Sequence, residues 1–191
     1  MRRTTAGLVA GLIISALASS PAMGQQFGFH RGFWVGAGLG NALSDISCMI
    51  CVEDSKSVMS GYVRAGLTAS PKLLVGLEAV GTDNSEDGVN ERMLGLGAVG
   101  YFYPTSSGLF LKGGLGVMKY RADDDTDEFT STMLSVQVGT GYELRVSRSF
   151  SLAAFGNLFV STNGDLDFNG AKVTDDFNVT LIQFGLGVTM H

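Results

Sequence analysis

Cys48 and Cys51 stand in a C-x-x-C arrangement. In a reducing compartment that spacing suits redox exchange or half of a zinc site. In an oxidising one it suits a disulfide that closes a small ring and stiffens a loop tip. The run Asp123-Asp124-Asp125-Thr126-Asp127-Glu128 offers hard oxygen ligands of the kind Ca²⁺ or Mg²⁺ takes. It lacks the central glycine and terminal spacing of an EF-hand loop, so it reads as a solvated acidic segment, with weak divalent bridging to phosphates as its sharper use. Nucleophilic catalysis would need a hydroxyl or thiol within reach of a base. Beyond residue 24 the only histidines are His30 and His191, near the same end of the pattern as Ser147, Ser149 and Ser151. No H-x-S or G-x-S-x-G pattern accompanies them. Gly36, Gly38 and Gly40 alternate at period two with no helix after them, so they do not form a phosphate cradle. The expectation is therefore no catalytic residue, no metal ligand set and no cofactor site.

The elements that carry these residues follow from composition and periodicity. The chain has 191 residues, of which 27 are glycine and only 3 proline, and 16 % are charged. Typical soluble domains are about 25 % charged and about 7 % glycine. Neither a collagen period nor a low-complexity run accompanies the glycine. The net charge of −5 argues against a nucleic-acid partner. The chain opens Met1-Arg2-Arg3, continues with the apolar stretch 6–18 and reaches Ala22 and Gly24 at small-residue positions, the pattern of a secretory signal peptide over 1–24. The apolar stretch is too short for a spanning helix, which needs about 20 residues. Residues 25–191 then form one exported domain. In an oxidising compartment, Cys48 and Cys51 are expected to be bonded.

Past residue 24 the hydrophobic period becomes two. Eight segments alternate: 32–40, 58–69, 72–81, 92–103, 109–120, 133–146, 150–160 and 179–190. Short links at 70–71, 104–108 and 147–149 carry turn chemistry, and longer polar links at 41–57, 82–91, 121–132 and 161–178 join the others. An even number of strands with short turns at one end and long loops at the other describes an all-β, eight-stranded antiparallel transmembrane barrel with short periplasmic turns and four longer extracellular loops. One face of each segment is uncharged and apolar, for example Val63, Leu77, Leu96, Leu115, Val136 and Ile182. The other face is rich in glycine and holds every mid-strand charge. A water-facing surface should carry more charge than this second face does. A narrow eight-stranded lumen must instead be filled by side chains. Arg64, Glu78, Lys112, Glu143 and Arg145 are expected to form a paired charge network there, with Arg64 and Glu78 at matching offsets from the Ser70-Pro71 turn. Sixteen of the 18 acids fall in the four polar links, and Arg31, Lys72, Arg145 and Arg148 gather at the other end.

The stretch Gly32-Phe33-Trp34-Val35-Gly36-Ala37-Gly38-Leu39-Gly40, after an export signal, resembles the first strand of the OmpA-like small outer-membrane β-barrel family. The resemblance implies a barrel in the cell outer membrane with four surface loops. Family members are surface antigens, adhesins, envelope-stabilising proteins and some loosely termed porins. The expected partners are outer-membrane lipid and lipopolysaccharide, and a host or envelope partner engaged through acidic loops, with the chain itself a monomer. Two alternatives belong to other classes: a small pore and a lipid-modifying enzyme.

Overall fold

Alternation at period two puts every second side chain on one face of a strand, and here it yields eight strands and no helix among the described residues. The computed structural model describes residues 32–47, 54–86, 89–105, 107–123 and 127–191. The expected signal peptide over 1–24, His30 and the expected Cys48–Cys51 disulfide lie outside them. The strands are β1 (Phe33–Ser47), β2 (Asp54–Ser70), β3 (Leu73–Glu86), β4 (Val89–Phe102), β5 (Leu109–Asp123), β6 (Glu128–Arg145), β7 (Phe150–Phe168) and β8 (Ala171–Met190). Each pairs antiparallel with its sequence neighbours, and β8 closes on β1, so no sheet edge is left open.

The register fixes the shape of the barrel. Following paired residues from Trp34 through Gly66, Gly76, Val99, Gly114, Gln137, Phe159 and Leu181 returns to β1 at Ser44, ten residues beyond the start. Eight strands with that stagger tilt by roughly 40° and enclose a lumen just wide enough for side chains to fill. Small residues allow the strands to pack this way. A Cβ on Gly185 would lie 2.2 Å from the carbonyl oxygen of Leu39, and one on Gly40 would lie 2.0 Å from that of Phe184.

The two faces are inverted relative to a soluble protein. Val136 is 52 % exposed, whereas its neighbour Gln137 is 6 % exposed. Leu39, Leu77, Leu94, Leu115 and Leu186 all stand outward, and on β1 the outward residues Phe33, Val35, Ala37, Leu39 and Leu43, interrupted by Asn41, mark an apolar belt. Ten residue steps at about 3.3 Å each, tilted by roughly 40°, give a belt roughly 25 Å tall, the height of an outer-membrane hydrocarbon layer.

The strands run further than their apolar pattern. Most of the residues in the links expected at 41–57, 82–91, 121–132 and 161–178 are strand, and the connections at that end are short. Above the belt the outer face meets water, so Asp45, Ser57, Asp83, Thr132 and Thr162 replace the outward leucines while Ala42, Val58 and Ser161 stay buried inside. The outward half of the alternation disappears, and with it the sequence signal. The tallest hairpin, β7–β8, turns on Asn169-Gly170, with φ of 49° and 82°. These are the left-handed conformations a two-residue type I′ turn requires.

Candidate functional site: the lumen and the rim

At the end of the barrel that carries the β2–β3, β4–β5 and β6–β7 turns, period-two geometry points Trp34 from β1, Arg64 from β2, Glu78 from β3, Tyr101 from β4 and Phe110 and Lys112 from β5 into one layer, and all six are buried. Lys112 Nζ donates to Glu78 Oε1 at 2.5 Å, with both side chains almost fully enclosed. The Tyr101 hydroxyl donates to the other carboxylate oxygen of Glu78 at 2.6 Å. Arg64 donates to the Thr189 hydroxyl at 2.8 Å. Its guanidinium carbon lies 4.5 Å from the ring centre of Tyr101, 5.1 Å from that of Tyr62 and 5.7 Å from that of Trp34. Trp34 and Phe110 each meet Tyr101 nearly edge-on. A buried guanidinium among aromatic faces is stabilised by their quadrupoles where a carboxylate is not at hand.

A second cluster sits closer to the turns. Glu143 of β6 accepts from the hydroxyl of Tyr103 at 2.6 Å and lies 3.1 Å from His191 Nε2, with the buried Ser151 beside it. The serine and the histidine thus both lie at the carboxylate.

Arg64 and Glu78 are direct partners across β2 and β3, at the matching height their offsets implied. They do not form the expected ion pair. The phenol ring of Tyr101 receives Arg64 on its face and its hydroxyl goes to Glu78, so the tyrosine stands between the charges, and Lys112 supplies the cation for Glu78. Glu78 and Lys112 are brought together; Glu143 is held separately by Tyr103 and His191. Arg145 lies half-buried at the end of β6 and donates to the carbonyls of Ser147 at 3.1 Å and Arg148 at 2.5 Å, within the β6–β7 turn. It is too close to the strand end to reach the Glu78 layer. Tyr101, Tyr103 and Thr189 are lumen residues that the charge pattern alone does not reveal. Extending the inward parity of β4 two steps past Val99 finds both tyrosines.

Above this layer an amide chain crosses the lumen. Asn157 donates to Gln183 at 2.9 Å, and Gln183 to Ser60 at 2.7 Å. Higher still the interior turns apolar: Phe159, Met118, Met133, Leu181 and Val179 are each at most 2 % exposed, with the rings of Phe177 and Tyr120 in tilted contact beyond them. Lys56 of β2 reaches across β3 to Glu91 of β4 at 3.2 Å, and that ion pair closes the top of the apolar layer.

The rim is less one-sided than the acid count suggested. Arg92 pairs with Asp83 at 2.9 Å, Arg121 with Asp123 and Glu128, and Lys172 with Asp165 at 2.9 Å. These pairs are exposed and each contributes at most about 1 kcal/mol. Among the described residues no group of three metal-ligating side chains converges. Residues 124–126 of the acidic run lie outside the described residues.

No protein-family model matches the chain, and no curated protein sequence does. Solved structures do match. Neisserial surface protein A superposes with a TM-score of 0.56 at 20 % identity, over 83 % of this chain and 96 % of that one. Ail, the attachment invasion locus protein of Yersinia pestis, gives 0.54 at 14 % identity over 84 % and 99 %, and has also been solved with the heparin analogue sucrose octasulfate. The outer membrane protein OprG from Pseudomonas aeruginosa gives 0.50 at 16 % identity over 86 % and 99 %. The chain has the fold of small eight-stranded outer-membrane β-barrels.

Proposed function

We propose that this outer-membrane barrel is a closed, non-conducting scaffold whose strand extensions above the belt form an interaction surface. One observation carries the reading: the lumen is filled at two levels. Trp34, Tyr101 and Phe110, with the Lys112–Glu78 pair, occupy one level, and Phe159, Met118, Met133 and Leu181 occupy the other. A small pore would need a continuous aqueous bore, and eight strands leave none once side chains of this size point inward. Closure of β8 on β1 removes any edge through which strands could add, which supports a monomer.

The enzyme reading gains nothing from the lumen. Among the described residues, His191 Nε2 lies 3.1 Å from Glu143, whose carboxylate also takes the Tyr103 hydroxyl, an arrangement that anchors a carboxylate and differs from the serine–histidine pair that acyl transfer uses. The extensions are left as the functional surface. Ail is named for attachment and has been solved with a sulfated sugar. The rim of this barrel is acidic in its sequence, so the partner it suits is neutral or basic rather than a polyanion.

Surface presentation is tested by pull-down of basic and acidic model polymers on intact cells that express the protein. Selective retention of polylysine over heparin supports the reading. Equal retention of both, or of heparin alone, contradicts it.

A further inference from the structure

The outward positions just above the apolar belt are acidic or hydroxylic on most strands: Asp45, Ser57, Asp83, Thr132 and Thr162. On β4 and β5 they are cationic. Arg92 and Arg121 face each other directly across the two strands, and Lys119 sits opposite Leu94, one outward step below Arg121. Like charges directly opposite each other in a sheet are unfavourable. The side chains of Arg92 and Arg121 are 65 % and 49 % exposed, and their ion pairs with Asp83, Asp123 and Glu128 leave several guanidinium N–H groups free. Three cations thus gather on one side wall of the rim, two of them shared with Asp83, Asp123 and Glu128 and Lys119 without an ion-pair partner among the described residues.

A groove leads to them. An apolar depression of about 730 Å³ crosses the outer face obliquely, from Leu186 over Ala37, Gly61 and Ala79 to Gly81 and Leu94. Its floor is shallow because residues with little or no side chain alternate along it. Gly81 and Leu94 are register partners, and the next outward pair up the same two strands is Asp83 and Arg92. The upper end of the groove therefore opens beneath the arginine.

We propose that this wall binds a phosphorylated lipid of the outer leaflet, its phosphate on Arg92, Lys119 and Arg121 and an acyl chain along the groove. Guanidinium groups recognise phosphate through paired N–H donors. The belt below supplies the apolar surface that the lipid's chains share with the bilayer. The proposal rests on the outer-membrane reading above but is independent of whether the barrel conducts.

Native mass spectrometry of the folded, delipidated barrel in detergent micelles tests it, with bisphosphorylated lipid A as the probe. Wild type should retain it. Arg92→Gln with Lys119→Gln and Arg121→Gln should weaken retention at least tenfold, and dephosphorylated lipid A should bind wild type as weakly. Gly81→Leu should also reduce retention, because a Cβ there has no neighbour nearer than 3.9 Å and the added side chain would stand in the groove that Gly81 lines. Gly113→Leu, outward in open space on β5, should leave retention unchanged. Lys119→Gln alone breaks no ion pair among the described residues; it should weaken retention severalfold and carries the headgroup test if the triple variant does not fold. Equal retention by the lysine or triple variant, or equal binding of dephosphorylated lipid A, overturns the proposal. So does full displacement by millimolar inorganic phosphate, which would mark a simple anion site. Loss of lipid retention would leave the conductance result untouched, and a conducting barrel would leave lipid retention untouched.

Discussion

Glu78 and Lys112 meet at 2.5 Å inside the lumen although β4 separates their strands, while the arginine directly opposite Glu78 in the sheet, Arg64, bonds elsewhere. The lumen is organised across the barrel rather than along its hairpins. Coupling energies should follow the same order. Glu78→Ala leaves Lys112 buried without its carboxylate and should cost about 3–5 kcal/mol if water stays out. The Glu78→Ala, Lys112→Ala double variant should recover much of that loss. The Glu78→Ala, Arg64→Ala pair should be nearer additive. Urea unfolding in lipid vesicles gives both cycles. A larger coupling for Arg64 than for Lys112 would reverse the assignment.

The assignment of faces is tested at adjacent residues. Val136 points outward in the belt and Gln137 inward. Val136→Arg should destabilise the barrel by about 2–4 kcal/mol, the cost of a cation near the bilayer midplane. Val136→Leu should be silent. Unimpaired folding of the arginine variant into vesicles would contradict an outward Val136 and, with it, the lipid-facing belt.

Strand packing at the closing seam depends on the absence of a side chain. Gly185→Ala would place a methyl carbon 2.2 Å from the Leu39 carbonyl oxygen, a backbone atom that cannot swing aside. The seam between β8 and β1 should loosen, at about 1–3 kcal/mol. Gly113→Ala, with nothing within 4 Å of the new carbon, should change stability little. Thermal unfolding followed by heat-modifiable gel mobility compares the two.

Much of this architecture is legible in the sequence because the belt enforces alternation on both faces at once. Leu134, Val136 and Val138 outward, with Ser135 and Gln137 inward, give a period-two signal that residue order alone settles. Where the outer face leaves lipid, only the inward half of the signal survives, and Lys56 and Glu91 are easily read as loop residues although they close the lumen together. The charged lumen residues are visible individually. Their partnerships are not, because Glu78 reaches Lys112 across a strand, and the register and stagger that bring those two heights together are properties of the closed barrel. Tyr101 and Tyr103 are the exception: parity alone places them inward.

Orientation in the membrane has its own test. The β7–β8 turn at Asn169-Gly170 stands at the tall end, and the β2–β3 turn at Pro71 stands at the short one. Barrels of this kind turn their short ends to the periplasm. An epitope inserted after Gly170 should be labelled on intact cells, and one after Pro71 only after permeabilisation. The opposite pattern would invert the topology.

A lumen shut by the Lys112–Glu78 layer below and the Phe159, Met118, Met133 layer above should pass no ions. Single-channel recording of the purified, refolded wild-type barrel in planar bilayers is the decisive measurement. Insertion should give no discrete conductance steps above the bilayer baseline. Reproducible, uniform unitary steps from the wild-type protein would show a continuous aqueous path and contradict the closed lumen.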